Sequence, residues 1–316
     1  MQFPPMEPGM VSIITTTYNR THYLKQAIES ALKQTYPHFE MIVSDDASTE
    51  DVESVVAGFK DPRLRYRRNE TNLGMCANIC AALQEARGEF FAYLNDDDMW
   101  EPTFLEKVVA PMMQNPEITV SFSDHYVIDD DGNIDLRLTE DLSARYKRKE
   151  LQPGIHKPFV HLLIAQSIPC AQASIFRRQI LEDADIPEEV GTCYDQWTGY
   201  LASCSEKAAY YTPERLAFYR VHLLSSTAGS SQSGKSDRAI EWHMSSYNYY
   251  SKLISDAQYS KYLKELLRRR SLSCRLIAKK IHGDWRTISS QKVSLSVTKG
   301  SPKFKGFFSV IALLYA

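Results

Sequence analysis

"FFAYLNDDDMW", residues 90–100, is the stretch on which the reading of the chain turns. Apolar residues 90–94 run straight into Asn95, Asp96, Asp97 and Asp98, and Met99 and Trp100 close it. A short apolar run bounded by polar residues reads as a buried strand whose carboxyl end carries the chemistry. Neighbouring carboxylates repel, and burial penalises them further, unless positive charge lies among them. A divalent cation is the candidate that the stretch itself suggests.

Working outward, β-like and helix-like segments alternate. "VSIITTT" (11–17), "FEMIVSDD" (39–46), "LRYRR" (64–68), "FFAYLND" (90–96) and "TVSFSDH" (119–125) read as strands. Between them "THYLKQAIESALKQT" (21–35), "EDVESVVAGF" (50–59), "GMCANICAALQEA" (74–86) and "PTFLEKVVAPMMQ" (102–114) keep helical apolar spacing, the last with Pro102 in its first turn. This order predicts an α/β fold, a mostly parallel Rossmann-like sheet flanked by helices, with a helical C-terminal extension. Residues 10–125 form the α/β region. Residues 126–228 are less regular: "YVIDDDGNID" (126–135) reads as a hairpin turning at Asp131-Gly132, and "AQASIFRRQIL" (171–181) and "LAFYRVH" (216–222) as further strands. "LLSSTAGSSQSGKS" (223–236) is a Ser/Gly-rich linker, so residues 229–316 form a basic extension with helical patterns from Ile240 and from Tyr259. No internal repeat is present.

The 316 residues suffice for an ample core, and 43% apolar and 24% charged content is ordinary for a globular chain. "MQFPPMEPGM" lacks the basic and apolar regions of a signal peptide, and no apolar run nears the ~20 residues that span a bilayer. Six cysteines without a C-x-x-C pair suggest buried thiols in a reduced cytoplasmic protein. The net charge of −2 hides an asymmetry: from Lys235 onward there are 16 Lys and Arg against 5 Asp and Glu, and before it 21 against 34. That split suggests an anionic partner for the C-terminal segment.

Three strands end in polar clusters: "TTTYNR", "SDDAS" and "NDDD". In a parallel α/β sheet the carboxyl ends share one edge, where ligands bind. Thr16, Tyr18, Asn19, Asp45, Asp46, Asp96, Asp97 and Asp98 should therefore meet in one crevice, the plainer alternative being solvated loop residues. The first βα turn has no G-x-G-x-x-G. A nominal phosphate-loop match, "GSSQSGKS" (229–236), falls in the linker rather than after a first strand, and "DDDGN" (129–133) lacks the spacing of a calcium loop. Carboxylate oxygens suit Mg²⁺ or Mn²⁺ shared with substrate phosphates, so a nucleoside diphosphate on an acidic, metal-bearing edge is the direct inference.

"VSIITTTYNR", "SDDAS", the "NLG…AN" of 72–78 and "LNDDDMWEP" together resemble an inverting family-2 glycosyltransferase of the GT-A fold, and "YDQW" (194–197) and "YRVH" (219–222) extend the likeness to about residue 222. The resemblance implies a nucleotide-sugar donor, commonly UDP-linked, a divalent metal (Mn²⁺ or Mg²⁺), and transfer with inversion. It further implies that Thr16 and Tyr18 flank the nucleobase and Asp46 holds it, with Arg20, Asn72 and Asn78 also on the nucleotide side. Asp96 and Asp97 face the ribose and the metal-diphosphate. Asn95 stands where the family often has an acid, which makes Asp97 the leading metal ligand and leaves Asp98 to hold the loop. Asp195 resembles the catalytic base, a helix N-cap being the plainer role. His222 resembles a residue completing the metal site, and Arg220 one that serves the same anion.

The acceptor expected is a carbohydrate or a lipid-linked hydroxyl, with Tyr146, His156 and Trp197 available for stacking. Two other classes stay open: a nucleotidyltransferase, which would want a basic Gly-rich triphosphate loop, and a non-catalytic sugar-nucleotide or glycan-binding protein. The tail "KFKGFFSVIALLYA" pairs lysines with an apolar terminus. It suggests peripheral contact at the inner face of the membrane, or packing on the protein. Nucleic acid is not expected, because the acidic half would repel a phosphate backbone.

Overall fold

The computed structural model describes residues 1–182, 184–222, 245 and 249. Among the described residues nine strands form one sheet: β1 (Glu7–Thr17), β2 (Phe39–Asp45), β3 (Leu64–Arg68), β4 (Gly88–Tyr93), β5 (Met99–Trp100), β6 (Ile118–Ile128), β7 (Gly154–His156), β8 (Ser174–Arg177) and β9 (Ala208–Arg220). Their spatial order is β3-β2-β1-β4-β8-β6-β9-β5, with β7 also on β9. β3, β2, β1 and β4 pair in parallel; β8 runs antiparallel between β4 and β6, and β9 runs parallel to β6. Six strands thus point one way, and β5, β7 and β8 the other. The expected mostly parallel, helix-flanked sheet is what the chain builds.

The helices are α1 (Thr21–Leu32), α2 (Val52–Ala57), α3 (Met75–Leu83), α4 (Phe104–Gln114), α5 (Leu136–Arg145), α6 (Val160–Ile164) and α7 (Tyr194–Cys204). Both faces of the sheet are covered, which is why β2 is buried at every position instead of alternating. One core joins Val11, Ile13, Met41, Val43, Phe90 and Ala92 to α1 and α4; another joins Ile14, Ile42, Phe91 and Tyr93 to α3 and α7. Odd and even strand positions therefore feed different layers.

Three expectations are corrected. The hairpin at 126–135 is a turn with a single bridge, Ile128 to Ile134, because Asp135 caps α5 by accepting from Leu138 N at 2.8 Å, and a helix N-cap ends any returning strand. Only Ser174–Arg177 of the stretch 171–181 is extended, the chain then turning through 178–181. Pro102 lies ahead of α4, not in its first turn; its carbonyl accepts from Thr35 N at 2.8 Å.

Residues 1–252 form one compact unit and 253–316 a second. The region read as 10–125 and the described part of that read as 126–228 share a sheet within the first, since β8 and β6 continue outward from β4. The linker at 223–236, the two helical patterns and the basic-apolar tail lie outside the described residues, apart from Ser245 and Tyr249, which are helical and buried. Among the described residues no helix is long and apolar enough to cross a membrane.

Gly88 opens β4 where three backbone atoms crowd it. A Cβ there would lie 2.5 Å from Phe90 O, 2.7 Å from Met10 O and 2.7 Å from Ser12 N. Backbone held in a ladder cannot step aside as a side-chain tip can. Gly88→Ala is expected to destabilise the protein by about 1–3 kcal/mol, checked by urea denaturation; unchanged stability would mean that the β1–β4 edge yields freely.

Candidate active site

The carboxyl ends of β1, β2 and β4 lie together through parallel pairing: Thr16 is level with Ser44, Thr17 with Asp45, and Ile14 with Tyr93. Thr16, next to last in β1, is half-buried, and Tyr18 is 45% exposed just beyond the strand. Asn19 takes a left-handed turn (φ 54°), which asparagine tolerates, and its Oδ1 accepts from Thr49 N at 2.7 Å, binding the first loop to the second.

The acidic clusters are neutralised by the chain's own groups. Asp45 is fully buried, caps Ser48 N at 2.9 Å, accepts from the Tyr66 hydroxyl at 2.9 Å and pairs with Arg68. Asp46 accepts from Leu73 N at 2.8 Å, Gly74 N at 2.9 Å and Asn69 Nδ2 at 2.8 Å, so its carboxylate fixes the loop that carries exposed Asn72. Asn78 is 1% exposed, and its carboxamide donates to Ser44 O at 3.0 Å and accepts from Asn69 at 2.9 Å. Sequence reading placed Asp46 and Asn78 against the nucleotide; in the structure both side chains are hydrogen-bonded within the protein, where they fix the loops at the sheet edge.

In the acidic loop the three carboxylates have different partners. Arg20 Nη1 donates to Asp97 Oδ2 at 3.0 Å and to Asp96 Oδ1 at 3.3 Å. His222 Nε2 lies 3.1 Å from the same Asp97 oxygen. Asp98 points inward, accepting from Arg220 N at 2.9 Å and Asn95 Nδ2 at 2.9 Å. Burial first, then Asp97, pushes Asp98 well above the usual carboxylate range, and the same two causes raise Asp96 against the pull of Arg20. Asn95, which stands where the family often has an acid, bridges Asp98 to the Tyr194 hydroxyl, which donates to its Oδ1 at 3.3 Å.

Arg220 is corrected. It is 1% exposed, and its donors are taken up by Asp97 O at 2.9 Å, Asp129 O at 3.0 Å, Asp130 O at 2.9 Å, Gln26 Oε1 at 2.8 Å and, at 3.9 Å, Met99 Sδ. All of those acceptors belong to the protein, so the guanidinium clamps the loop from behind. Tyr23, which sequence reading passed over, packs its ring 4.7 Å from His222 and 5.1 Å from the Arg220 guanidinium, and its hydroxyl donates to Asp130.

Asp195 lies in the first turn of α7, half-buried, next to Tyr194, whose hydroxyl reaches the acidic loop. The helix N-cap is Cys193, so the capping role weighed for Asp195 belongs elsewhere. Burial pushes its carboxyl up to about 6. Trp197 donates through Nε1 to Asp185 O at 3.1 Å and packs on Tyr200.

No three His, Cys, Asp or Glu side chains among the described residues form a ready cage for a metal. Asp97 and His222 nevertheless offer one oxygen and one nitrogen side by side, with Asp96 adjacent. Such a sparse set suits a hard cation that draws its other ligands from phosphate and water, so the residues fit Mn²⁺ or Mg²⁺.

This is the edge-bound, acidic crevice of a glycosyltransferase of GT-A type. The Glycosyl transferase family 2 model matches residues 12–184, and the chain belongs to that family. It is a transferase enzyme. It is similar to the uncharacterized glycosyltransferase MJ1057 of Methanocaldococcus jannaschii, 33% identical over 204 residues that cover 63% of this chain and 67% of that protein. It is also similar to WfgD of Escherichia coli, a UDP-Glc:alpha-D-GlcNAc-diphosphoundecaprenol beta-1,3-glucosyltransferase, 34% identical over 127 residues, 40% of this chain and 50% of WfgD. The match thus spans only half of WfgD. Among solved structures, S. aureus TarS 1-349 in complex with UDP-GlcNAc aligns with a TM-score of 0.55 at 21% identity, covering 67% of this chain and 59% of TarS. Mannosyltransferase PcManGT from Pyrobaculum calidifontis, in complex with GDP-Man and Mn²⁺, aligns at 0.52 and 17% identity over 99% of this chain and 87% of its own.

The raised Asp195 sets a pH signature. A carboxyl whose folded pKa exceeds its unfolded value is stabilised when protonated, and that stability is lost as pH rises through about 6. Asp195→Asn should therefore match the parent near pH 4 and exceed it near pH 7, by about 1–3 kcal/mol. Thermal melts at both pH values check this; a variant less stable at pH 7 would contradict the buried-carboxyl account.

Proposed function

We propose that the chain is a metal-dependent, inverting glycosyltransferase that moves a sugar from a nucleoside-diphosphate sugar, UDP-linked, to a hydroxyl of a glycan or lipid-linked acceptor. The observation that carries this reading is one crevice uniting Asp97, His222 and Arg20, joined to the Asp195 helix through the Tyr194–Asn95 hydrogen bond. UDP-Glc in the name of WfgD and UDP-GlcNAc in the TarS complex favour uridine, whereas PcManGT holds GDP-Man.

In this reading residues 10–125 take the donor and 126–228 shape the acceptor side. Tyr18 presents an exposed ring to the base, with Thr16 and Asn72 beside it, while Asp46 and Asn78 hold the wall and Asp96 faces the ribose. Asp97 and His222 would hold Mn²⁺ or Mg²⁺, which when bound offsets charge on the departing diphosphate. The Asp195 carboxylate accepts the proton of the acceptor hydroxyl. That oxygen bonds to the anomeric carbon from the face opposite the diphosphate, which leaves with the electron pair of the broken bond. A carboxyl titrating near 6 is ionised at neutral pH yet more basic than an exposed aspartate, so rates should fall as pH drops below about 6. The basic extension 229–316 is proposed to hold the enzyme at an anionic lipid surface, near a lipid-linked acceptor.

Two substitutions test the assignment with a UDP-sugar and GDP-mannose panel. Asp97→Ala is expected to abolish metal-dependent donor binding in calorimetric titration with Mn²⁺; unchanged affinity would remove Asp97 from the site. Asp195→Asn should keep donor affinity and lower turnover by about 10²–10⁴-fold. Near-normal turnover with a productive acceptor would refute the base.

A further inference from the structure

His222 lies two residues beyond β9, so the strand itself does not fix its side chain. Val221 N still donates to Ile128 O at 2.9 Å, and His222 is the next residue. Its side chain is 1% exposed, with Nε2 facing Asp97 Oδ2 at 3.1 Å. That contact alone would leave the imidazole free to turn about its Cβ–Cγ bond, a torsion with broad minima. A histidine that ligates a metal is ordinarily oriented by a hydrogen bond to its other ring nitrogen. Among the described residues no hydrogen bond reaches Nδ1 of His222. An aromatic ring stands there instead: Tyr23 packs on the imidazole with 4.7 Å between ring centroids and a tilt of 48°.

Tyr23 is itself held at both ends. Its ring lies 5.1 Å from the Arg220 guanidinium, and its hydroxyl donates to Asp130. Arg220 donates in turn to the carbonyls of Asp129 and Asp130, so ring, guanidinium and turn brace one another. The ring therefore cannot swing aside without breaking contacts at both of its ends. Arg20, the N-cap of the same helix, donates to Asp97 Oδ2 at 3.0 Å. The start of α1 thus holds both members of the pair, the carboxylate by a charge and the imidazole by a ring.

We propose that Tyr23 is a positioning residue whose ring orients the His222 imidazole so that Nε2 and the Asp97 carboxylate meet one divalent cation together. This rests on the reading of Asp97 and His222 as the metal pair. The ring does the orienting and the hydroxyl anchors it, so phenylalanine should largely replace Tyr23 and an aliphatic side chain should not.

The test uses the full-length chain with UDP and Mn²⁺. Calorimetry reads the Mn²⁺ affinity, and pulsed electron paramagnetic resonance reads the nitrogen coupling of an imidazole bound to Mn²⁺. Tyr23→Leu should weaken Mn²⁺ binding about tenfold or more and lose the coupling, while Tyr23→Phe keeps it and stays within about threefold of the parent. Tyr23→Met, also without a ring, decides the matter if the leucine variant folds poorly. Added to His222→Ala, Tyr23→Leu should cost no further Mn²⁺ affinity, a result that a merely structural tyrosine would not give. Parent-like affinity and coupling in Tyr23→Leu overturn the proposal. So does a full further loss in the His222→Ala background, or a phenylalanine variant as weak as the leucine one. A parent chain without nitrogen coupling would instead remove His222 from the metal pair, and the proposal falls with that reading.

Discussion

The guanidinium of Arg220, 1% exposed, joins three parts of the chain that lie far apart in sequence: α1 through Gln26, the acidic loop through Asp97 O, and the 129–133 turn through two carbonyls. A planar fork with five donors can satisfy five acceptors at once, which an ammonium cannot. Its own backbone N–H holds Asp98. Burying such a charge is expensive unless every donor is met, and removing it would strand three carbonyls and the Gln26 amide together. The acidic loop therefore has its shape because β9 ends in arginine. Two residues past the end of that strand, His222 reaches the loop at Asp97.

The sequence raised the question of why three adjacent carboxylates are tolerated, and a metal seemed the answer. The structure divides the burden. Asp98 faces inward to amide donors and is pushed toward its protonated form by burial, while Asp96 and Asp97 share Arg20. Asp195 is raised by burial alone, without a cationic partner among its causes. Groups held away from their ordinary protonation cost folding stability, and they gather where chemistry is done. The crevice that would receive a diphosphate thus gathers three carboxyls raised above their ordinary range.

The strand-helix alternation of residues 10–125 was legible because parallel strands buried on both faces are near-continuous apolar runs, and their ends could be told from polar clusters. The grouping of Thr16, Asp46, Asp96 and Asp97 followed from that alone. Tertiary context decided the rest. Nothing in the spacing of "YRVH" separates a buried clamp from an anion ligand; only the enclosing carbonyls of Asp97, Asp129 and Asp130 do so. Asn78 looked functional by motif, yet its partners Ser44 and Asn69 come from other elements and leave it inside the wall. The hairpin at 126–135 keeps only one bridge on its returning arm, because Asp135 caps α5, and an N-cap aspartate and a turn aspartate are indistinguishable until the following helix is seen.

How Asp195 arrives beside a loop a hundred residues earlier is a matter of topology. β8 is antiparallel to β4, so the chain leaves it at the sheet edge opposite the crevice. It must climb back, and α3 is its guide. Arg178 Nη1 donates to Ala86 O at 3.2 Å just past the end of that helix, Cys80 Sγ lies 4.0 Å from Ile186 O midway, and Cys76 Sγ lies 3.6 Å from Pro187 O near its start. The contacts step backward along α3 as the chain advances, delivering Tyr194 to Asn95 and opening α7 at the crevice. α3 itself begins at Gly74, whose N–H is fixed by Asp46. One helix thus sets both the loop on the donor side and the height at which the proposed base stands. A shift of α3 would move the two together, preserving their spacing.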